Sequence, residues 1–368
     1  MINPPVRPML AAAADRIPPG MLYEPKWDGW RCLAFVDEAT VQLWSRRGTE
    51  ITGDFPELVA ACRDQLPGRC VLDGEIVMLD GDRLEYSRLA RRHGAGPMAA
   101  SLARELPATF VAFDLLALDD HDCRPVPQAQ RRELLEQVLA DVAPPLALTP
   151  ATTDLATAQH WFDVFERHGL DGVIAKPLTQ PYREGSRSMV KVKHRRTADV
   201  VVGGFRWDRN ASSDHPALGS LLLGAWTDED ELHFLGVTSG FPQAQRVELG
   251  RTLGDLVVEP GSVAHREHPW HRSRADRTRL PDLHGSRQRT LEQVRLIDPL
   301  LSCEVSFDAL HPDPAGVRLR SNASFVRWRP DKPPEACRLD EIDHGWGEGL
   351  SGGLQHWLNE PTTMEESP

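Results

Sequence analysis

The chain is poor in lysine and cysteine and has no long apolar run. No stretch of about 18 consecutive apolar residues occurs, which excludes a membrane-spanning helix. The start, Met1-Ile2-Asn3-Pro4-Pro5, has neither a basic flank nor an apolar core and does not read as a secretory signal. Six cysteines (Cys32, Cys62, Cys70, Cys123, Cys303 and Cys337) lie scattered without a C-x-x-C pair. A disulfide framework or zinc ribbon is therefore disfavoured, and reduced thiols in the cytoplasm are expected. What is present is globular: 40% hydrophobic and 26% charged over 368 residues, a length that suits two domains.

The scarcity of lysine is informative. Only five of the 42 basic residues are lysines: Lys26, Lys176, Lys191, Lys193 and Lys332. Where nearly every cation is arginine, a lysine marks a place that needs a compact charge or an amine able to lose its proton. The net charge of −12 argues against a polyanionic partner. Its distribution weakens that objection, because residues 333–368 hold eight acids and one arginine, while 262–296 hold eight arginines, four histidines and four acids.

Apolar patterning predicts strands within 31–44, at 71–79, 109–118, 172–176 and 188–193, and helices over 54–66, 84–92, 128–140 and 154–168. Asp54 is the expected cap of the first helix, and residues 1–20 read as a Pro/Ala-rich cover. After about residue 197 five short strand candidates, near 200–205, 221–223, 232–235, 303–307 and 324–328, surround one helix at 242–253, which suits a small barrel. The expected class is α+β: domains at 1–197 and 198–345, with a basic insertion near 262–296, then a mobile acidic tail at 346–368.

The segment Glu24-Pro25-Lys26-Trp27-Asp28-Gly29-Trp30-Arg31 precedes an apolar strand in a loop pinned by Pro25 and Gly29. Such a loop can hold an amine still, but a lysine pKa of about 10.4 must be depressed by burial or by other cations before it can attack.

Lys26-x-Asp28-Gly29-x-Arg31 resembles the first motif of the covalent nucleotidyltransferases: ATP-dependent DNA ligases, RNA ligases and capping enzymes. Ser45-Arg46-Arg47-Gly48, Leu72-Asp73-Gly74-Glu75, Phe113-Asp114-Leu115-Leu116, Asp171-Gly172-Val173-Ile174-Ala175-Lys176 and Val190-Lys191-Val192-Lys193 resemble the elements that follow, in order. Phe325 to Lys332 is similar to the R-x-R-x-D-K motif of ligases. The resemblance spans about 8–337, takes in all five lysines, and looks most like the small actinobacterial accessory ATP-dependent DNA ligases of the LigC type.

That resemblance implies a nucleotidyltransferase domain of mixed antiparallel sheets and helices, followed by an OB-fold barrel. It implies that Lys26 takes AMP from ATP, with Lys191 and Lys193 at the α-phosphate depressing the amine's pKa. Lys176 is expected near the nucleotide, Phe113 stacked on the adenine, and Glu24 reading the adenine amino group by side chain or backbone. Arg31 and Arg47 are expected at ribose or phosphate, Arg47 also at the nick phosphate, and Glu75 at a ribose hydroxyl or a metal-bound water. Asp171 stands where glutamate is commoner and, with Glu75, is the expected holder of Mg²⁺ or Mn²⁺, directly or through water. Arg327, Arg329, Asp331 and Lys332 would orient pyrophosphate after closure about a hinge at 195–199.

The implied partner is nicked duplex DNA, gripped through phosphates, with repair proteins as further partners and a monomeric chain. The 262–296 stretch is a candidate for part of that grip or else a solvated loop; its His265, His268 and His271 are weak zinc candidates, having no cysteine beside them. An RNA ligase, a capping-type enzyme or a noncatalytic DNA-binding scaffold are the alternative readings.

Overall fold

A computed structural model describes residues 2–165, 168–194, 196–208, 211–212, 216–272, 294–308, 310–313, 316–342, 354 and 358. The chain forms two compact units, one of residues 1–194 with 346–368 and one of residues 195–345. Mostly antiparallel sheets, flanking helices and a closed barrel make it α+β.

The first unit is built on two sheets. One runs Leu10–Ala14, Arg187–Lys193, Gly172–Lys176, Leu22–Pro25 in spatial order. The other runs Leu146–Leu148, Thr109–Leu118, Cys70–Val77, Trp30–Val36, Val41–Ser45. Helices Pro56–Gln65 and Gln128–Val138 contribute Leu58, Ala61, Cys62 and Leu135 to a core beneath one face of the second sheet, with Cys32, Ala34, Leu72 and Ile76. Helix Leu155–Phe165 covers one face of the first sheet, where Tyr23, Ala158, Val173 and Ala175 are fully buried. A third apolar cluster, with Met9, Leu33, Phe35, Val71, Tyr182 and Met189, joins the sheets.

Several expectations need correction. Leu10–Ala14 is not a loose cover but a strand, parallel to Arg187–Lys193 with Ala13 opposite Lys191. Asp54 does not cap a helix; the helix starts at Pro56, and the Asp54 carboxylate instead accepts from the Gly94 amide and meets His93, both at 3.1 Å. The tail expected to be mobile contains two buried residues. Leu354 and Leu358 lie in one apolar cluster with Trp27, Phe113, Trp161 and Phe165, and the Leu354 amide donates to Asp82.

The second unit is a closed five-stranded barrel: Arg196–Trp207, Leu218–Trp226, Leu232–Ser239, Ala323–Trp328 and Val294–Phe307. Closure depends on a short parallel pairing, Thr238 with Ala323 and Ser239 with Ser324, which removes the free edge. Helix Gln243–Gly254 packs Leu253 into its core. Two short helices, Val263–Glu267 and Pro269–Arg272, open the stretch expected to be irregular, while 273–293 lie outside the described residues.

Among the described residues no helix is long and apolar enough to cross a membrane. All six cysteines are buried and unbridged. Burial pushes the Cys62 and Cys70 thiols up to about 12, so they pack as neutral groups.

Candidate active site

Strand register brings the site together. In antiparallel pairs directly opposed residues share a face, and neighbours along a strand alternate. Ile174 opposes both Glu24 and Lys191, and Gly172 opposes Lys193. Glu24, Lys176, Lys191 and Lys193 therefore line one face of the first sheet, the one turned away from helix Leu155–Phe165. In the second sheet Arg31 opposes Glu75 and Leu33 opposes Asp73, which puts Arg31, Asp73 and Glu75 on the face away from the Cys32–Leu72–Ile76 core. The two polar faces are joined where the Lys176 amine reaches the Phe113 carbonyl oxygen at 2.7 Å.

Lys26 follows the Leu22–Pro25 strand and is fixed by its own backbone. Its N–H donates to the Gly172 carbonyl at 2.8 Å, and its carbonyl accepts from the Asp171 amide at 3.0 Å. The two Asp-Gly pairs on either side allow this approach. A Cβ on Gly29 would sit 2.1 Å from the Ile76 carbonyl oxygen, and one on Gly172, at φ +135°, would sit 2.1 Å from that of Val192.

One carboxylate oxygen lies between two amines: Asp171 Oδ2 is 2.6 Å from Lys26 Nζ and 3.2 Å from Lys193 Nζ. Burial alone would raise the Asp171 pKa, but the two lysines hold it below the usual carboxylate range. Lys191 is pulled down by partial burial and then by the charges of Lys193, Lys26, Arg187 and Arg46. Glu75 is raised to about 7 by burial, against the pull of Arg31 and Lys26. Lys26 thus lies within electrostatic reach of Asp171, Lys191 and Glu75.

Beside it lies a drier cluster. Glu24 and Lys176 are each 2% exposed, with Lys176 Nζ donating to Glu24 Oε2 at 2.7 Å. The Phe113 ring lies 4.3 Å from the Arg31 guanidinium and 4.9 Å from Lys176 Nζ, measured to its centroid. Arg31 is clamped by both oxygens of fully buried Asp73, at 2.5 and 2.6 Å, and Asp73 accepts from the Tyr182 hydroxyl at 2.6 Å. Arg31 is thus less a free phosphate binder than the sequence suggested.

Other expected residues fall elsewhere. Arg47 is exposed in the turn after Val41–Ser45, where Gly48 has φ +77°, and its neighbour Arg46 is the one whose charge reaches Lys191. In the second unit Arg329 binds both Asp199 oxygens at 2.7 Å and also holds Asp331, Arg327 binds Glu304 at 2.7 Å, and Lys332 binds Glu341 at 2.8 Å. His268 is a structural residue: one ring nitrogen accepts from the Trp270 amide and the other donates to the Ile297 carbonyl. The side chain of His271 and residue 195 of the expected hinge lie outside the described residues.

No group of three or more His, Cys, Asp or Glu side chains forms a metal cluster among the described residues.

A lysine amine among cations and carboxylates in a two-sheet unit, with a five-stranded barrel downstream, is the layout of a nucleotidyltransferase unit joined to an OB-fold. Residues 8–193 match the ATP dependent DNA ligase domain and 214–332 the ATP dependent DNA ligase C terminal region. The chain is 45% identical over 350 residues to DNA ligase C2 of Mycolicibacterium smegmatis, covering 93% of this chain and 95% of that one. It is 41% identical over 364 residues to DNA ligase C of Mycobacterium tuberculosis, covering 95% and 97%. A solved structure described as a Lig E DNA ligase with a minimal DNA-binding scaffold shares the fold, with a TM-score of 0.54 and 18% identity over 87% of this chain and 99% of that one. The chain belongs to the ATP-dependent DNA ligases. It is accordingly an enzyme that uses ATP and a divalent metal and acts on DNA.

Proposed function

We infer that Lys26 is the nucleophile that carries AMP between ATP and the nick. The observation that supports this most directly is the placing of Lys26 Nζ against Asp171, with Lys193 on the same oxygen and Lys191 and Glu75 within electrostatic reach. In the first step the Nζ lone pair forms a bond to the α-phosphorus, the bond from that phosphorus to the bridging oxygen breaks, and pyrophosphate leaves with the bond's electron pair while the amine's proton passes to solvent water. Lys191 and Lys193 meet the charge that builds on the phosphoryl oxygens. Asp171 must release the Lys26 amine for this step, and Lys193 lies ready to keep that carboxylate paired.

A 5′-phosphate oxygen at the nick then displaces Lys26 from the adenylate, and the adjacent 3′-hydroxyl displaces AMP to seal the strand. Phe113 and Glu24 meet the adenine, while Glu75, Arg31 and Lys176 border the nucleotide. Arg46 and Arg47 lie where a phosphate backbone could pass. Arg327, Arg329 and Lys332 serve the pyrophosphate in the first step by closure of the second unit, in exchange for the Glu304, Asp199 and Glu341 contacts they now make, with Asp331 orienting Arg329. Asp171 and Glu75 would hold Mg²⁺ or Mn²⁺, which would supply charge neutralisation when bound.

The reading extends to an accessory role in DNA repair for a monomer acting in the bacterial cytosol, supported by 45% identity to DNA ligase C2 of Mycolicibacterium smegmatis. Nick-sealing assays with DNA or RNA on each side of the nick, run with ATP or GTP, test the reading. ATP-dependent sealing of the all-DNA nick by the natural chain and none by Lys26→Ala is expected; sealing by Lys26→Ala would overturn the assignment.

A further inference from the structure

Glu24 carries an unusual imbalance for a side chain only 2% exposed. Its Oε2 pairs with Lys176, yet Oε1 is buried with no hydrogen-bond partner among the described residues. A buried acceptor left bare costs about 1–3 kcal/mol, so it marks a position that a donor is meant to fill.

A second cation faces that oxygen: Arg132 Nη1 stands 3.8 Å away. That is beyond hydrogen-bond range but well inside Coulombic range. Arg132 is kept at this distance by bonds of its own. Its Nη1 donates to the Thr149 carbonyl at 2.8 Å and its Nε to Glu136 at 2.7 Å, with the side chain nearly buried on helix Gln128–Val138. The arginine therefore supplies charge to Glu24 without consuming the free oxygen's lone pairs.

We propose that Arg132, which lies outside every motif recognised in the sequence, is a positioning residue for nucleotide selection: it keeps Glu24 an ionised acceptor whose free oxygen meets the exocyclic amine of a 6-aminopurine. The proposal rests on the reading of Glu24 as the group that meets the base. A carboxylate only accepts, so it suits the 6-amino donor of adenine and repels the 6-oxo acceptor of hypoxanthine or guanine. Burial is the largest influence on Glu24 and leaves its pKa raised, with the charge of Asp114 pushing the same way, so the opposing charges of Lys176 and Arg132 are what draw it toward the ionised form. These are the charged groups facing it from the three packed elements, and Asp114 is itself clamped by Arg131 at 2.7 and 2.9 Å. Without Arg132 the balance moves toward a protonated Glu24, whose O–H can donate to a 6-oxo group. Selectivity then falls from both sides, as the amine loses its acceptor and the oxo group gains a donor.

The experiment measures single-turnover transfer of labelled nucleotide to the full chain from ATP, ITP and purine riboside triphosphate, which has no group at C6. The natural chain is expected to favour ATP over ITP by about 100-fold or more, as sites built on a buried hydrogen bond do. Arg132→Gln should shrink that ratio to about tenfold or less, partly by raising ITP transfer itself, and Arg132→Lys should restore most of it. A merely structural role would lower transfer from all three nucleotides together and leave the ratios intact, which would overturn the proposal. Arg132→Met, which keeps the packed stem, replaces Arg132→Gln if the latter does not fold. Glu24→Gln separates the two levels. If it leaves the ATP/ITP ratio unchanged, the reading of Glu24 itself fails; if it shifts the ratio while Arg132→Gln does not, only the role of Arg132 fails.

Discussion

Lys26 Nζ and Asp171 Oδ2 are 2.6 Å apart, a partly buried ion pair between the end of one strand and the start of another in the same sheet. The pair aims the amine, and it also holds the amine on the carboxylate until substrate charge competes for it. Asp171 is the shorter acid at a position where the resemblance leads one to expect glutamate. Asp171→Asn leaves Lys26 and Lys193 without their shared counter-charge and should slow protein adenylylation by about 100-fold. Asp171→Glu keeps the charge and should stay within about tenfold of the natural chain. Single-turnover labelling measures both.

The Glu75 carboxyl gives a stability signature. Its pKa is raised by burial from 4.5 to about 7 in the fold, so the folded chain prefers the protonated form. Its stabilising contribution is complete below the unfolded value and disappears as pH rises from about 4.5 through about 7, a loss of up to about 3 kcal/mol. Denaturant unfolding of metal-free protein at pH 5 to 8 should show Glu75→Gln gaining on the natural chain across that window. A constant difference between the two would contradict the raised value.

Gly172 is required by space as well as by conformation. Its φ of +135° and the 2.1 Å clash awaiting any Cβ predict that Gly172→Ala destabilises the first unit by about 3 kcal/mol or more and displaces Asp171. Thermal unfolding and adenylylation should fall together; an alanine variant with unchanged melting would show that the register around Lys193 is not as described.

Arg329 ties Asp199 and Asp331 within the second unit. Arg329→Ala should lower transfer of AMP to the enzyme by about 100-fold, while sealing of a nick already carrying AMP changes less than about threefold. Equal loss in both assays would remove its assignment to pyrophosphate.

Leu354 and Leu358 sit one helical turn apart in sequence and are both buried against the Trp27 and Phe113 cluster. Leu354→Ala should cost about 2–3 kcal/mol in unfolding free energy, the value for a core leucine, where a solvated tail would register nothing.

Much of the site was legible because it depends on local chemistry. Lysine is so rare that Lys26, Lys176, Lys191 and Lys193 stood out, and the strand register then placed Lys176, Lys191 and Lys193 on one face of one sheet, with Lys26 just past the end of its neighbouring strand. The five barrel strands showed as short apolar runs. What stayed hidden depends on long-range pairing. Leu10–Ala14 has no β-branched residue to mark it and exists as a strand through Arg187–Lys193. Arg132 reads as one more charge on a helix rich in Arg and Glu, because its partner Glu24 lies on a distant strand. Arg46 and Arg47 are adjacent, and the charge of Arg46 on Lys191 is set by the tertiary fold, which the sequence does not display. Leu354 and Leu358 are masked by the acidic, glycine-rich sequence around them.

Peptide mapping of the chain after incubation with labelled ATP and a divalent metal, without DNA, tests the central claim most directly. The account predicts one AMP per chain, joined through nitrogen to Lys26 and discharged when nicked DNA is added. Label on any other residue, or an adduct that nicked DNA fails to discharge, would contradict it.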